Sequence, residues 1–304
     1  MNLELPVIKL EFTFKAEQDI ILPKYAGSAL RGVFGSSLKR VSCLARKKNC
    51  QDCSLAKTCP YATIFESQEG LIGRSVNPYI IEPNLNQEQK ILKGEEFSFN
   101  QILFGDCVKS LSFILLAWIK GFQRGISKEK SKATLVKVIQ KHPLGDRYIY
   151  GVDEEEIQPI EYAFPLNWQT NQTKITLKIE TPLRIHKNKH PIKPQDIQIG
   201  DIVSSLIRRI ESLYTGHTNS ACFLKDKKQL LEQAKELSIL KKELFWKDWT
   251  RWSGRQQTHI SLGGVIGEIT LEGNLTDLLP LFYAGELLHL GKSTVMGLGK
   301  YTIS

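Results

Sequence analysis

LGGVIGEITLEGNLTDLLPLFYAGELLHLGKSTVMGLGKYTI, residues 262–303, packs strand, helix and strand signals into one run. Its opening part, with TRWSGRQQTHI before it (250–273 together), reads as a hairpin. TDLLPLFYAGELLH (276–289) reads as a helix with Thr276 at its N-cap and Pro280 in its first turn. MGLGKYTI (296–303) reads as a final strand. HLGKSTVMGLGKY (289–301) connects helix to strand with three glycines and two lysines. Glycine lets main-chain N–H groups come close to an anion. A nucleotide-binding P-loop is excluded, because that motif keeps four residues between its glycines, with a strand before and a helix after. Here five residues separate Gly285 from Gly291, a helix precedes and a strand follows.

Working back from that run, the same order of elements appears twice. VIKLEFTF (7–14) alternates Ile8, Leu10, Phe12 and Phe14 with polar residues, as a half-buried strand does. YAGSALRGVFGSSLKRVSCLA (25–45) reads as a helix. Its Gly32 and Gly35 each cost about 1 kcal/mol of propensity, which packing or a ligand has to offset. PYIIEP (78–83) and EEFSFNQILFG (95–105) read as strands. Asp106 is expected to cap a helix with Val108, Leu111, Leu115, Trp118 and Phe122 on one face, and ATLVKVIQ (133–140) is the next strand. Residues 151–172, rich in acid, proline and asparagine, mark a boundary. KITLKIE (174–180) and IGDIVSSLIRRIESLY (199–214) restart the pattern, and KDKKQLLEQAKEL (225–237) is an inserted charged helix. The expected fold is α+β: two tandem ferredoxin-like (RRM-like) βαββαβ domains, 1–160 and 161–304.

Composition narrows the class. The chain has 304 residues, 41% apolar, with net charge +9. Residues 24–57 carry Lys24, Arg31, Lys39, Arg40, Arg46, Lys47, Lys48 and Lys57 against Asp52 alone, so a polyanion is the natural partner and a solvated helix face the alternative. Charges scattered through the first twenty residues argue against a secretory signal. The longest apolar run, FILLAWI (113–119), is far too short to span a bilayer. A cytoplasmic setting without a membrane partner is therefore expected.

Four of the six cysteines, Cys43, Cys50, Cys53 and Cys59, follow the helix 25–45 in the pattern C-x6-C-x2-C-x5-C. Four thiolates with one C-x2-C knuckle suit a closed tetrahedral zinc site, structural rather than catalytic. An iron–sulfur cluster, with Pro60 after Cys59, and unmetallated thiols are the other readings. Cys107 and Cys222 are expected as packed thiols.

Together, ALRGVFGSSLKR (29–40), the cysteine segment ending CPYATIFES (59–67) and the C-terminal run 262–303 resemble the CRISPR repeat-cleaving endoribonucleases of the RAMP superfamily, in a cysteine-containing branch. The resemblance implies a metal-independent endoribonuclease that cuts precursor CRISPR RNA to a 2′,3′-cyclic phosphate and a 5′-hydroxyl. It implies precursor CRISPR RNA and other CRISPR effector or adaptation proteins as partners. Two departures stand out. His289 replaces the first glycine of the family's G-x-G-x5-G-x-G loop, and Ser36-Ser37 follow Gly35 where that branch often has a histidine. A RAMP-fold subunit that binds CRISPR RNA without cutting it therefore stays open.

On this reading the loop grips RNA phosphates through the amides of Gly291, Gly297 and Gly299, with Lys292 and Lys300. The alternative is a glycine turn that only lets helix pack on sheet. The catalytic candidates are His289 as acid or base, Arg31 and Lys292 as cations, and Tyr25 to position the ribose. Lys39, Arg40, Arg251, Trp252 and Arg255 complete the expected RNA contacts, the last three by interleaving cation and aromatic. His259 ranks second among the histidines; His142, His186, His190 and His217 sit in loop-like segments and rank last.

Overall fold

The computed structural model describes residues 2–45, 50–66, 76–87, 89–151, 153, 156–169, 171–224, 226–253 and 258–304, with the side chains of residues 2, 251–253 and 258–260 excepted. The chain divides into two units. Pro6–Phe164 with Ser212–Asn219 form the N-terminal unit; Met1–Leu5, Pro165–Glu211 and Ser220–Ser304 form the C-terminal unit.

In the N-terminal unit, β1 (Val7–Ala16) leads to α1 (Gly27–Ser42), β2 (Tyr79–Pro83), β3 (Glu96–Phe104), α2 (Leu111–Arg124), β4 (Ala133–Lys141) and β5 (Arg147–Gly151). The antiparallel sheet runs β2-β3-β1-β4-β5, the ferredoxin-like order with one added strand. Alternation in β1 sends Ile8, Leu10, Phe12 and Phe14 inward. Phe12 lies opposite Phe99 and Phe14 opposite Phe97 on β3. Trp118 and Phe122 of α2 close this aromatic core, with ring centroids 4.5 Å apart for Phe99–Trp118 and 4.2 Å for Phe14–Phe122. The Trp118 indole donates to Gln101 Oε1 at 2.7 Å, which satisfies its one polar atom. The expected cap differs. Asp106 sits in a 3-10 turn (Gly105–Ser110) that feeds α2, pairs with Lys109 and makes no cap bond, because the turn already directs the chain into the helix.

The C-terminal unit contains β6 (Lys174–Leu183), a small ladder of β7 (His186–Lys187) and β8 (His190–Pro191), α3 (Ile199–His217) as far as Glu211, α4 (Lys227–Glu236), β9 (Ser238–Lys247), a second ladder of β10 (Thr250–Ser253) and β11 (Thr258–Ser261), β12 (Gly264–Glu272), α5 (Leu279–Leu288) and β13 (Tyr301–Ile303). Its main sheet runs β9-β12-β6-β13, again the ferredoxin-like order. Two sequence readings change. The hairpin expected over 250–273 is β10 with β11 alone, while β12 pairs with β6 and with β9. Strand β9 carries no alternating signal because SILKKELFWK is an edge strand largely open to solvent. Thr276 is not the cap of α5 either: the helix starts at Leu279 after Leu278, and Asn274 Oδ1 takes the Thr276 N–H at 3.2 Å.

Candidate nucleic-acid interface

The glycine loop of the C-terminal unit is shaped by positive backbone angles. His289, Gly291, Ser293, Gly297 and Gly299 all have φ between 58° and 85°. These reversals fold the loop onto the end of β6: Lys292 N–H donates to Arg184 O at 2.9 Å, and Gly299 N–H to Pro182 O at 3.2 Å. Thr181 Oγ1 donates to Gly297 O at 2.8 Å and accepts from Lys300 N–H at 2.8 Å. A methyl group on Gly299 would lie 1.7 Å from Leu290 O. The amides expected to hold RNA are therefore spent inside the protein: Gly297 N–H serves Thr294 O at 2.7 Å, Gly299 N–H serves Pro182 O, and both residues are buried. Gly299 serves close packing, and Gly297 supplies the left-handed backbone that ends the 3-10 turn Thr294–Met296. Gly291 is half-buried, Lys292 is exposed, and Lys300 pairs with Glu180 at 3.4 Å.

His289 is corrected too. Its exposure is 0%, and Nδ1 lies 3.2 Å from Leu298 O. A ring sealed in the loop exchanges no proton with a strand lying on the surface. Just before it, the buried Arg209 guanidinium donates through Nε to Leu288 O at 2.6 Å, and burial pushes its pKa down to about 10. Arg209 thereby caps the last carbonyls of α5, where the helix dipole favours a cation.

The surface that does face outward lies beside this loop, on the β7–β8 ladder. Asn188 and Lys189 at its tip have φ of 52° and 67°, the backbone of a two-residue hairpin turn. The tip presents HKNKH, with Lys187, Lys189 and His190 exposed. Burial first, then Lys292 and Arg184, hold the His186 ring below the ordinary histidine pKa of 6.5, so the imidazole is neutral at pH 7. Arg184 and Lys292 thus place two cations beside the half-buried, neutral His186, whose Nε2 is buried, with His190 nearby. The sequence reading passed over this hairpin because Asn-Lys is a weaker turn signal than Asn-Gly. Of the other histidines, His142 is buried and bonded to Ala163 O at 3.0 Å, and His217 is buried and bonded to Val76 O at 2.7 Å. The side chains of Arg251, Trp252 and His259 lie outside the described residues, as do Arg255 and the basic run Arg46, Lys47 and Lys48.

In the N-terminal unit, α1 separates the expected cations into two stripes by its four-residue repeat. Arg31, Gly35 and Lys39 face the cysteine segment. The Arg31 guanidinium lies 4.3 Å above the Phe65 ring, and Lys39 Nζ 5.2 Å above Tyr61. Burial raises the Tyr79 hydroxyl to about 12, with Arg31 beside it opposing. Gly32, Ser36 and Arg40 instead line a groove of 580 Å³ with Arg124 and Lys130. Gly121 of α2 lets the helices approach, since a methyl there would lie 2.6 Å from Val33 Cγ1. Arg124 and Lys130, which frame the end of α2, were not singled out by the sequence. Tyr25 precedes α1 by two residues, and burial, then Glu82, hold its phenol well above the usual range, so it can donate but not act as a base. Cys43 follows α1, Cys50 and Cys53 share a turn, and Cys59 precedes a π-helical turn, Tyr61–Phe65. All four thiols are free and half-buried. Among the described residues, no three His, Cys, Asp or Glu side chains stand together as a set able to hold an ion.

Comparison with known proteins follows this geometry. The profile described as CRISPR-associated endoribonuclease Cas6 matches residues 177–301, and one described as an N-terminal domain matches residues 5–162. Family likeness by sequence is thus to Cas6 endoribonucleases, over residues 177–301. No curated protein matches it by sequence. Among solved structures, a chain of a partial Cas6-RT-Cas1–Cas2 complex aligns with TM-score 0.59 and 16% identity, covering 99% of this chain and 47% of its own. In another Cas6-RT-Cas1–Cas2 complex the corresponding share of that chain is 29%, so the present chain spans less than half of those longer ones. Thermus thermophilus Cas6 aligns with TM-score 0.55 and 14% identity over 99% of both chains. A Cas6 product complex gives 0.56 and 16%, covering 98% and 99%. At these identities the likeness establishes the Cas6 fold. No described helix is long and apolar enough to cross a membrane.

Proposed function

We propose that this chain binds the repeat of a precursor CRISPR RNA and cuts it once, without a metal, to a 2′,3′-cyclic phosphate and a 5′-hydroxyl. The observation that carries the proposal is the cluster on the glycine-loop edge, a neutral His186 held among Arg184, His190 and Lys292. His186 takes the proton of the 2′-hydroxyl, O2′ attacks the adjacent phosphorus in line, and the P–O5′ bond breaks as O5′ is protonated. Lys292 and Arg184 stabilise the extra negative charge of the crowded phosphate. The groove of Arg40, Arg124 and Lys130 holds backbone phosphates, which fix the strand without reading its sequence. Partners follow the complexes above: adaptation proteins of the Cas1–Cas2 kind and a reverse transcriptase.

One observation favours a second reading, an RNA-binding subunit that does not cut. Ser36 and Ser37 line the α1–α2 groove, and neither carries a group that ionises near neutral pH. Incubation of the purified protein with repeat RNA in EDTA separates the two. The expected result is a single cut with a cyclic phosphate end, slowed at least about tenfold in single-turnover cleavage by His186→Ala. Tight binding with intact RNA selects the second reading. Undiminished cleavage by His186→Ala removes that ring from the reaction.

A further inference from the structure

The four clustered cysteines play no part in the RNA reading. The fold brings the two ends of their segment together: the Cys59 thiol reaches Ser42 O at 3.8 Å, one residue before Cys43. Between them Cys50 and Cys53 form the knuckle turn, with Cys53 N–H on Cys50 O at 3.2 Å. The Cys50 thiol lies within electrostatic reach of Cys59, Cys43 and Lys39. We propose that Cys43, Cys50, Cys53 and Cys59 bind one zinc ion as four thiolates and so close the insert onto the C-terminal end of α1. The four thiols do not stand together as a metal set in this structure, so binding requires the segment to rearrange around the ion.

The chemistry is consistent with this metal. Each thiol gives up its proton on binding, and four Zn–S bonds form with no position left for water, so the ion is structural. A divalent zinc with four thiolates carries two net negative charges, and Lys39 and Lys57 lie in the surrounding sequence to offset them. The consequence runs through the turn that follows Cys59. Phe65 on that turn fills the space over Gly35, where a methyl group would lie 2.1 Å from its ring, and supports Arg31; Tyr61 lies under Lys39. Tethering Cys59 to Cys43 therefore fixes the Arg31–Gly35–Lys39 stripe. The site stands independently of RNA cleavage.

The full chain, purified without chelator, is expected to contain about one zinc per molecule. Cobalt(II) in place of zinc is expected to give the strong visible bands of a tetrahedral thiolate site. With zinc bound, thiol reagents should reach Cys222 while these four are protected. Cys50→Ser and Cys53→Ser are expected to lose metal, and Cys222→Ser to keep it. The wild-type cobalt spectrum keeps the proposal testable even where a serine variant does not fold. Zinc below about a tenth of an equivalent after expression with added zinc, weak six-coordinate cobalt bands, or iron with labile sulfide would each overturn the proposal.

Discussion

Gly299 stands where the loop leaves no room for a side chain: φ is 70°, and the Leu290 carbonyl lies 1.7 Å from where a methyl carbon would sit. Gly299→Ala combines a strained left-handed backbone with a backbone clash. It is expected to cost about 2–4 kcal/mol in urea unfolding, because neither contact can relax by side-chain rotation. A second prediction concerns charge. If neutral His186 is the base, cleavage falls as pH drops through its pKa, which lies below 6.5 because burial and nearby cations disfavour the imidazolium. Lys292→Ala removes one of those cations and raises that pKa, so the acid limb of the single-turnover rate profile moves to higher pH, toward 6.5. An unmoved limb, with the rate merely lowered, assigns Lys292 to phosphate contact alone.

At the scale of elements, α1 is the instructive case. Its basic character was plain in the sequence, but only packing against α2 on one side and the Tyr61–Phe65 turn on the other shows that Arg40 and Arg31 serve different surfaces. The groove side makes a salt-dependence prediction. Each cation that neutralises a single-strand phosphate contributes roughly 0.7 to the slope of log affinity against log salt. Replacing Arg40, Arg124 and Lys130 together by Gln should reduce that slope by about 2, measured by filter binding of repeat RNA across a salt series. A slope equal to wild type would mean that the groove holds no phosphate. Strand β9 teaches the converse lesson. An edge strand with no fully buried residue has little to impose apolar alternation, so its ladder to β12 is invisible until the sheet is seen.

At the scale of the whole molecule, the N-terminal unit is not continuous in sequence. It takes in Ser212–Asn219, where Tyr214 meets Phe104 edge-on with centroids 5.3 Å apart and the His217 ring bonds to Val76 O at 2.7 Å. A fragment ending at Phe164 loses these contacts and exposes the apolar face they cover. It is expected to unfold at lower urea than the N-terminal unit of the full chain, by about 2–4 kcal/mol, in an equilibrium titration followed by tryptophan fluorescence. Equal stability would show that the 212–219 segment adds nothing to that unit.

Both ferredoxin-like repeats were legible in the sequence because alternating strands and amphipathic helices leave periodic apolar marks, as in β1, α2 and β6. The net positive charge was legible as well, since net charge does not depend on folding. The tertiary structure alone decided which polar groups face water. It sealed His289 and the amides of Gly297 and Gly299 inside the loop, set His186 half-buried on an unforeseen hairpin, and drew Arg124 and Lys130 to the rim that Arg40 lines. For these polar groups exposure is set by packing between distant segments, which the local apolar pattern along the chain does not encode.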